Sequence, residues 1–397
     1  MNYALTPISD TPLLRVDFLY LGSQWLQEHP LQARYAFTQL KEGTASYPAA
    51  ELAERLDFYG ATVTTACNLS YASVTLHCLR KHFESVFPYV RSMLVEPLYS
   101  QQQLDIALSQ GRTAWQIQHQ KVDGLCKEEL YRRLFGGAHP MGCFPALADY
   151  DTLVPDLLHR YHHQHIQPSS LSVLVTGNYD DALLDILRSG QEVTVDDSTP
   201  ILSIYEPKPV QTSTERHISI DSHLPRVQAA VYLGCLLPPP SHPDMPLLRL
   251  ASTLLGGYFG SRLMSNIRER RGLTYGINSS IFNIPYDNAL VIACETSTKH
   301  AEEVVSEVKR ELQRLCDDLV GDDELQMVKN YMEGKSCRRN ERSFNYPQVL
   351  MNLIATGRTP DDLVANRRRQ QAATPADIQR IARQYLSPER FVSCIVC

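Results

Sequence analysis

Residues 254–276 read LLGGYFGSRLMSNIRERRGLTYG, a stretch that glycines divide into clear segments. A helical pattern runs up to the glycine pair at 256 and 257, and a second helical pattern ends at Gly272. Glycine favours helix ends because it adopts the left-handed backbone conformation without strain. The residues from 273 to 282 then form a strand-like segment. The stretch predicts the order helix, glycine, helix, glycine, strand.

The same order occurs about 210 residues earlier in the chain. Gly22 and Gly60 lie at the same spacing as Gly234 and Gly272, and apolar strands end at Gly22 and Gly234. Each copy continues through a strand pair, helices and a closing strand, at 171–176 and 390–396. The repeat predicts an α+β fold of two homologous domains, each a mostly antiparallel sheet backed by helices.

The two copies are separated by a segment that is low in helical periodicity and rich in Pro, Ser, Thr and Asp. Such composition is typical of a linker. We predict an N-terminal domain over 1–190, a linker over 191–214 and a C-terminal domain over 215–397. Little sequence precedes the strand at Val16, so we expect an edge strand of the first sheet to be short or absent.

Composition excludes several classes of protein. The chain has 397 residues, 43% hydrophobic and 21% charged, which is ordinary for water-soluble globular domains. The formal net charge is −6, and the lysines and arginines are scattered along the sequence without a basic cluster. We therefore expect no nucleic-acid partner. Neither a signal peptide nor an apolar run long enough for a membrane is present, and ten irregularly spaced cysteines fit free thiols. We therefore predict a cytoplasmic protein without a membrane partner.

The duplicated plan, together with residues 254–263 and 267–276, resembles the insulinase/pitrilysin zinc peptidases, which include the mitochondrial processing peptidase. Similarity extends to residues 40–44, 136–142 and 171–180, and so to almost the whole chain. The resemblance implies that the two domains form a clamp. It also implies that Arg268 and Tyr275 are a pair that contacts substrate backbone near the zinc.

The catalytic motif of these peptidases is missing from the sequence. Family members carry His-x-x-Glu-His on the first helix, where the histidines bind zinc and the glutamate activates water. Counting back from Gly43-Thr44 places Arg34 and Thr38 at the histidine positions and Phe37 at the glutamate position. The distal glutamate ligand is also missing, since residues 106–122 contain no Asp or Glu. We predict no catalytic residue, no metal and no cofactor.

Other candidate sites have simpler interpretations. Glu28-His29 follows Trp25, which cannot bind zinc. His159 and His163 are spaced i, i+4 on a predicted helix but have no carboxylate or cysteine among them, so a polar helix end is favoured. The glycines at 256–260 lack the spacing of a nucleotide-binding loop. Cys394 and Cys397 end an apolar strand and have no second cysteine pair at zinc-finger spacing.

Three hypotheses for function follow. In the first, the chain is a noncatalytic, substrate-binding or regulatory subunit whose Arg268 and Tyr275 complete the peptide site of a zinc-bearing homologous partner. In the second, it is a self-sufficient peptide-binding or scaffold homodimer that holds extended peptide by strand addition. In the third, it is a metallopeptidase with unrecognised ligands, such as the histidines between 159 and 165.

Overall fold

The computed structural model describes residues 2–8, 10–167, 171–189, 205–222, 227–282, 284–341 and 343–397. Residues 191–204 of the predicted linker lie outside the described residues. The strands are β1 (Asn2–Pro7), β2 (Leu13–Leu21), β3 (Thr62–Cys67), β4 (Tyr71–Leu79), β5 (Leu171–Gly177), β6 (His217–Ile220), β7 (Gln228–Leu237), β8 (Thr274–Ile281), β9 (Asn288–Ser297) and β10 (Val392–Val396).

The α-helices are α1 (Gln32–Thr38), α2 (Ala49–Phe58), α3 (Phe83–Val95), α4 (Gln101–Gln118), α5 (Val122–Phe135), α6 (Asp149–Thr152), α7 (Pro155–His165), α8 (Asp181–Ser189), α9 (Met245–Ser252), α10 (Ala301–Asp317), α11 (Asp322–Glu341), α12 (Tyr346–Ala355), α13 (Pro360–Ala372) and α14 (Pro375–Tyr385). Two π-helical segments, Thr253–Gly257 and Met264–Arg270, lie between α9 and β8. None of the described helices combines the length and apolar composition needed to cross a membrane. The cytoplasmic location stays a prediction.

The two five-stranded sheets have the same topology. The first has the order β1-β5-β2-β4-β3 and the second the order β6-β10-β7-β9-β8. In each sheet one pair is parallel, β1 with β5 and β6 with β10, and the other pairs are antiparallel. The predicted α+β fold of two homologous, mostly antiparallel domains is therefore confirmed.

The N-terminal edge of the first sheet differs from expectation. β1 is a six-residue strand that pairs in parallel with β5 from Asn2 opposite Ser172 to Pro7 opposite Gly177. The expectation of a short or absent edge strand is wrong. The segment Asn2–Pro7 carries no regular alternation that would mark it as a strand, and the parallel partner that stabilises it is about 170 residues away in sequence.

The chain packs into two compact units that interleave along the sequence. Unit 1 comprises Met1–Trp115, Pro145–Glu206 and Arg339–Gly357, and unit 2 comprises Gln116–Phe144, Pro207–Arg338 and Arg358–Cys397. Unit 1 thus takes α12 from the second half of the sequence, and unit 2 takes α5 from the first half. The boundaries at 190 and 214 divide the sequence repeat and stay a prediction.

In unit 2, α5 covers the face of the sheet that lies opposite the main core. The Cys126 thiol donates to the carbonyls of Cys394 (3.2 Å) and Ala230 (3.4 Å). Gly234 allows this close approach, because a Cβ there would lie 2.8 Å from Cδ1 of Leu134. β7 continues past this glycine to Leu237, so the expectation that the strand ends at Gly234 is wrong. Helix packing explains the glycine instead.

In unit 1, α12 and the turn before it lie against the corresponding face. Gln348 on α12 donates to the hydroxyl of Tyr71, and Arg15 donates to the carbonyl of Phe344 (2.7 Å). Arg15 also makes two 2.7 Å bonds to Asp17, whose side chain is fully buried. The hydroxyl of Thr75 donates a further bond of 2.6 Å to Asp17.

We predict that Asp17→Ala lowers the free energy of unfolding by about 3–5 kcal/mol, because it leaves the Arg15 guanidinium largely buried without its carboxylate. Urea denaturation of the full chain measures the change. Asp185→Ala is the control, since Asp185 is in an exposed pair with Arg188 and should change stability by less than about 1 kcal/mol. Equal effects of the two substitutions would contradict the role of the buried network.

Candidate functional site

The helix at the expected zinc position is α1. Arg34 is exposed on its surface, whereas Phe37 is 1% exposed and packs in the core of unit 1. The Phe37 ring lies 5.7 Å from that of Tyr20 and 6.4 Å from that of Tyr161. The hydroxyl of Thr38 donates to the carbonyl of Tyr35 (3.4 Å), which is a local helix bond.

These three positions do not fit a zinc ion. Zinc in proteins is bound by thiolate, imidazole or carboxylate groups. Arg34 carries a permanent positive charge, and Phe37 has no donor atom and points into apolar packing. Over the described parts of the chain, no three His, Cys, Asp or Glu side chains gather closely enough to hold a metal ion.

Three of the four histidines of α7 pack against aromatic rings, and the fourth, His163, is exposed. His159 and His162 lie edge-on to Tyr99, with ring centroids 5.1 and 5.9 Å away, and His165 lies 4.8 Å from the ring of Tyr161. His162 also donates to the carbonyl of Leu94 (2.8 Å). Burial lowers the pKa of the His162 imidazole, so its neutral form is favoured. This arrangement gives the hypothesis of a histidine-based metallopeptidase no support.

The residues of the proposed Arg/Tyr pair are joined by a tight helix-to-strand turn. Arg268 lies in the π-helical segment Met264–Arg270, whose buried Ile267 anchors it to the core. Gly272 has a φ of +63° and donates to the carbonyl of Arg268 (3.1 Å), which ends the helix. β8 begins two residues later. The glycine is required because side-chain-bearing residues rarely adopt this backbone conformation.

Arg268 differs from the arginines around it. Arg262 pairs with Glu324 (2.8 Å), and Arg271 pairs with Glu307 (3.0 Å). Among the described residues Arg268 has no hydrogen-bond or ion-pair partner, and its guanidinium lies 4.7 Å above the ring of Phe259. Such stacking orients the guanidinium while leaving its N–H donors free.

Tyr275 is held outward by an irregularity in the edge strand β8. The pairing of β8 with β9 shifts between Thr274 and Ile277, and Tyr275 is 97% exposed. The Thr274 hydroxyl donates to the carbonyl of Glu295 (2.6 Å) and accepts from the Gly276 N–H (3.2 Å). These bonds fix a bulge, a device that redirects a side chain at a sheet edge.

Sequence reasoning missed Phe259 as a member of this site. Its ring is 65% exposed, on a turn between Gly257 and Gly260. The sequence does contain a signal for its exposure, because a large aromatic residue on a tight turn between glycines has few neighbours to bury it. The structure therefore adds an aromatic surface beneath Arg268.

Comparisons with known proteins address the family and the fold of this chain. The family described as "Peptidase M16 inactive domain" matches residues 152–332. The "Uncharacterized zinc protease YmxG" of Bacillus subtilis is 23% identical over 300 residues, which cover 74% of this chain and 70% of that protein. The "Non-peptidase homolog YmxG" of Helicobacter pylori is 23% identical over 353 residues, which cover 86% of this chain and 80% of the homologue.

The chain belongs to the M16, or insulinase/pitrilysin, peptidase family. The matched inactive-domain family and the non-peptidase relative make it a noncatalytic M16 homologue. That Arg34, Phe37 and Thr38 stand at the zinc positions stays a prediction. The fold is shared with the crystal structure of a peptidase M16 inactive domain from Pseudomonas fluorescens, with a TM-score of 0.86 at 18% identity, covering 99% of this chain and 94% of the other. A chain of complex III2 from Candida albicans has the same fold, with a TM-score of 0.76 at 13% identity, covering 99% and 93%.

We predict that Phe37→Ala lowers the free energy of unfolding of this M16 homologue by about 3–5 kcal/mol, because it opens a cavity beside Tyr20 and Tyr161. Arg34→Ala, three residues away on the exposed side of α1, should change it by no more than about 0.5 kcal/mol. Urea denaturation of both variants checks the contrast. A neutral Phe37→Ala would mean that this position is not part of the core.

Proposed function

We propose that the chain is a noncatalytic subunit that contributes Arg268 and Tyr275 to the substrate site of a zinc-bearing M16 homologue. The observation that carries this proposal is the 97% exposure of Tyr275 on a bulged edge strand. A tyrosine held this far outward has its ring and hydroxyl free for another molecule, and both groups gain from burial at an interface.

The chemistry of Arg268 suits a peptide backbone. A guanidinium presents N–H donors in a planar fork, and peptide carbonyls are acceptors. The ring of Phe259, 4.7 Å below, limits the directions in which the fork can point. A donor that is already oriented loses less side-chain entropy when it binds, so the stack strengthens the contact without adding a bond.

The zinc-site positions support a division of roles between two chains. Arg34 and Phe37 supply neither ligand nor general base, so a peptide held by Arg268 would need both from elsewhere. The Bacillus subtilis relative is named as a zinc protease and the Candida albicans relative belongs to a multi-subunit complex. Pairing with a zinc-bearing homologue would combine the contact residues of this chain with a partner's metal.

The test is a peptidase assay in which a zinc-bearing M16 homologue encoded near this chain is purified with it. We expect Arg268→Ala to reduce kcat/KM of the complex about tenfold or more, because a charged hydrogen bond to substrate is lost. Tyr275→Ala should act in the same direction. Arg270→Ala is the matched control, since Arg270 is exposed two residues away and should leave activity unchanged.

Arg268→Lys separates charge from geometry in the same assay. Lysine keeps the positive charge but loses the planar fork, so we expect only partial recovery of kcat/KM. Failure of the chain to associate with any zinc-bearing homologue, or unchanged activity in both Arg268 variants, would overturn the proposal.

A second candidate is a self-sufficient peptide-binding homodimer. It is favoured by the edge strands of the described sheets, β1, β3, β6 and β8, each of which pairs with only one other strand. A strand with one free edge can accept an extended peptide through backbone hydrogen bonds. Light scattering and peptide titration of the purified chain distinguish the candidates: a dimer that binds peptide alone favours the second, and a chain that binds only with its partner favours the first.

A further inference from the structure

The helical segment that carries Arg268 is wider than an α-helix. Its backbone is π-helical over Met264–Arg270, and the Arg271 N–H donates to the carbonyl of Asn266, five residues earlier (3.2 Å). The Leu273 N–H donates to the carbonyl of Ile267, six residues earlier (3.0 Å). Wide turns of this kind are rare in proteins and are frequent at functional sites. The residues that hold this turn in place are therefore of interest for the site.

The internal repeat provides a regular helix for comparison. Gly60 and Gly272 occupy equivalent places in the repeat, and the helix before Gly60 is α2, whose residues are all α-helical. After Gly60, the Ala61 N–H donates to the carbonyl of Leu56, five residues earlier (2.9 Å). The equivalent bond of Leu273 spans six residues, so the last turn before Gly272 contains one extra residue.

The extra residue decides which side chain faces the core. In α2 the residue four places before the glycine, Leu56, is buried. In unit 2 the residue five places before the glycine, Ile267, is buried, and Arg268 at four places is partly exposed. One residue corresponds to a rotation of about 100° around a helix axis. The wide turn therefore brings Arg268 out of the core, where its guanidinium lies 4.7 Å from the ring of Phe259.

Asn266 bonds to both the backbone and the side chain of the residue that closes the wide turn. Its backbone carbonyl accepts from the Arg271 N–H, and its side-chain Oδ1 accepts from Nε of the same arginine (3.3 Å). In an α-helix the backbone partner of Asn266 would be Arg270. The two bonds to Arg271 therefore fix the five-residue spacing, and Arg268 lies between their ends.

Two buried carboxylates on α10 hold the Asn266 side chain. Its Nδ2 donates to Glu307 (3.1 Å) and to Glu311 (2.9 Å), and both glutamates are only 2% exposed. The Arg271 guanidinium also pairs with Glu307 (3.0 Å), so Asn266, Arg271 and Glu307 bond to one another in a closed ring. Both hydrogens of the amide are used, and a buried polar network of this kind favours a single arrangement.

We propose that Asn266 is the positioning residue of the Arg268 contact. Bonded to Arg271 and to the two buried carboxylates, it holds the wide turn in which Arg268 lies over the ring of Phe259. The role of Arg268 toward substrate rests on the proposed subunit function. The effect of Asn266 on the orientation of Arg268 lies within this chain and is measured without a partner.

The first experiment follows the Nε–Hε resonance of Arg268 by nuclear magnetic resonance of the full chain, with the resonance assigned from its loss in Arg268→Lys. Stacking on an aromatic ring shifts this resonance, and Phe259→Leu gives its unstacked position. We expect Asn266→Ala to move the resonance most of the way to the unstacked position, because the wide turn loses its side-chain bonds. Arg271→Ala should act in the same direction.

Arg314→Ala is the matched control. Arg314 pairs with Glu311 (3.1 Å), so its removal also deprives a buried carboxylate of a charged partner, but the bonds between Asn266 and Arg271 stay intact. The Arg268 resonance should keep its stacked position. A stacked Arg268 in folded Asn266→Ala would overturn the proposal, as would an equal shift in Arg314→Ala. If Asn266→Ala does not fold, the partly exposed Arg271 supplies the deciding variant, Arg271→Ala.

The peptidase assay of the complex supplies a second readout. Asn266→Ala should lower kcat/KM about tenfold, and combining it with Arg268→Ala should cause no further loss, because both act through one contact. Additive losses would contradict action through Arg268. An Arg268 resonance that depends on Asn266, with full activity of the Arg268→Ala complex, would support the positioning role and refute the subunit role. Stacking that is independent of Asn266, with activity lost in Arg268→Ala, would refute the positioning role alone.

Discussion

Both faces of each sheet must be covered, and the structure depends on this constraint. β2 and β7 are buried along almost their whole length, which requires apolar layers on both sides. One layer in each unit comes from helices of the same half of the sequence. The other comes from the opposite half, as α12 in unit 1 and α5 in unit 2. Neither half of the sequence repeat therefore contains a complete core.

Much of the fold could be predicted because its signals are local. Helices end at Gly60 and Gly272, which adopt φ values of +60° and +63°, and apolar runs mark the central strands. The exchange of α5 and α12 could not be predicted, because an apolar helix face fits either sheet and only long-range chain geometry selects between them. The substrate-contact role of Arg268 and Tyr275 stays a prediction, and the sequence did not show how the two side chains are held. The exposure of Tyr275 depends on a bulge, and the orientation of Arg268 depends on Phe259.

The positions on α1 offer no group for peptide cleavage, whereas Arg268 and Tyr275 present groups that can contact another molecule. Phe37, which we predict to stand at the position of the general base, packs in the core with Tyr20 and Tyr161, so a carboxylate there would be buried in apolar packing and strongly disfavoured. The side chains of Arg268 and Tyr275, unlike that of Phe37, are not packed in the core. Phe37 therefore contributes to the stability of the fold, whereas Arg268 and Tyr275 are available to other molecules.

The metal content of the full chain tests most directly whether this M16 homologue lacks a zinc site. The chain is purified without chelator and analysed by inductively coupled plasma mass spectrometry beside an Arg34→Ala variant. We expect substoichiometric zinc in both samples, because Arg34, Phe37 and Thr38 of α1 offer no zinc-binding group and removing the arginine does not create one. Roughly one zinc per chain, lost when histidines are substituted, would contradict it and would require a metal site built from other residues.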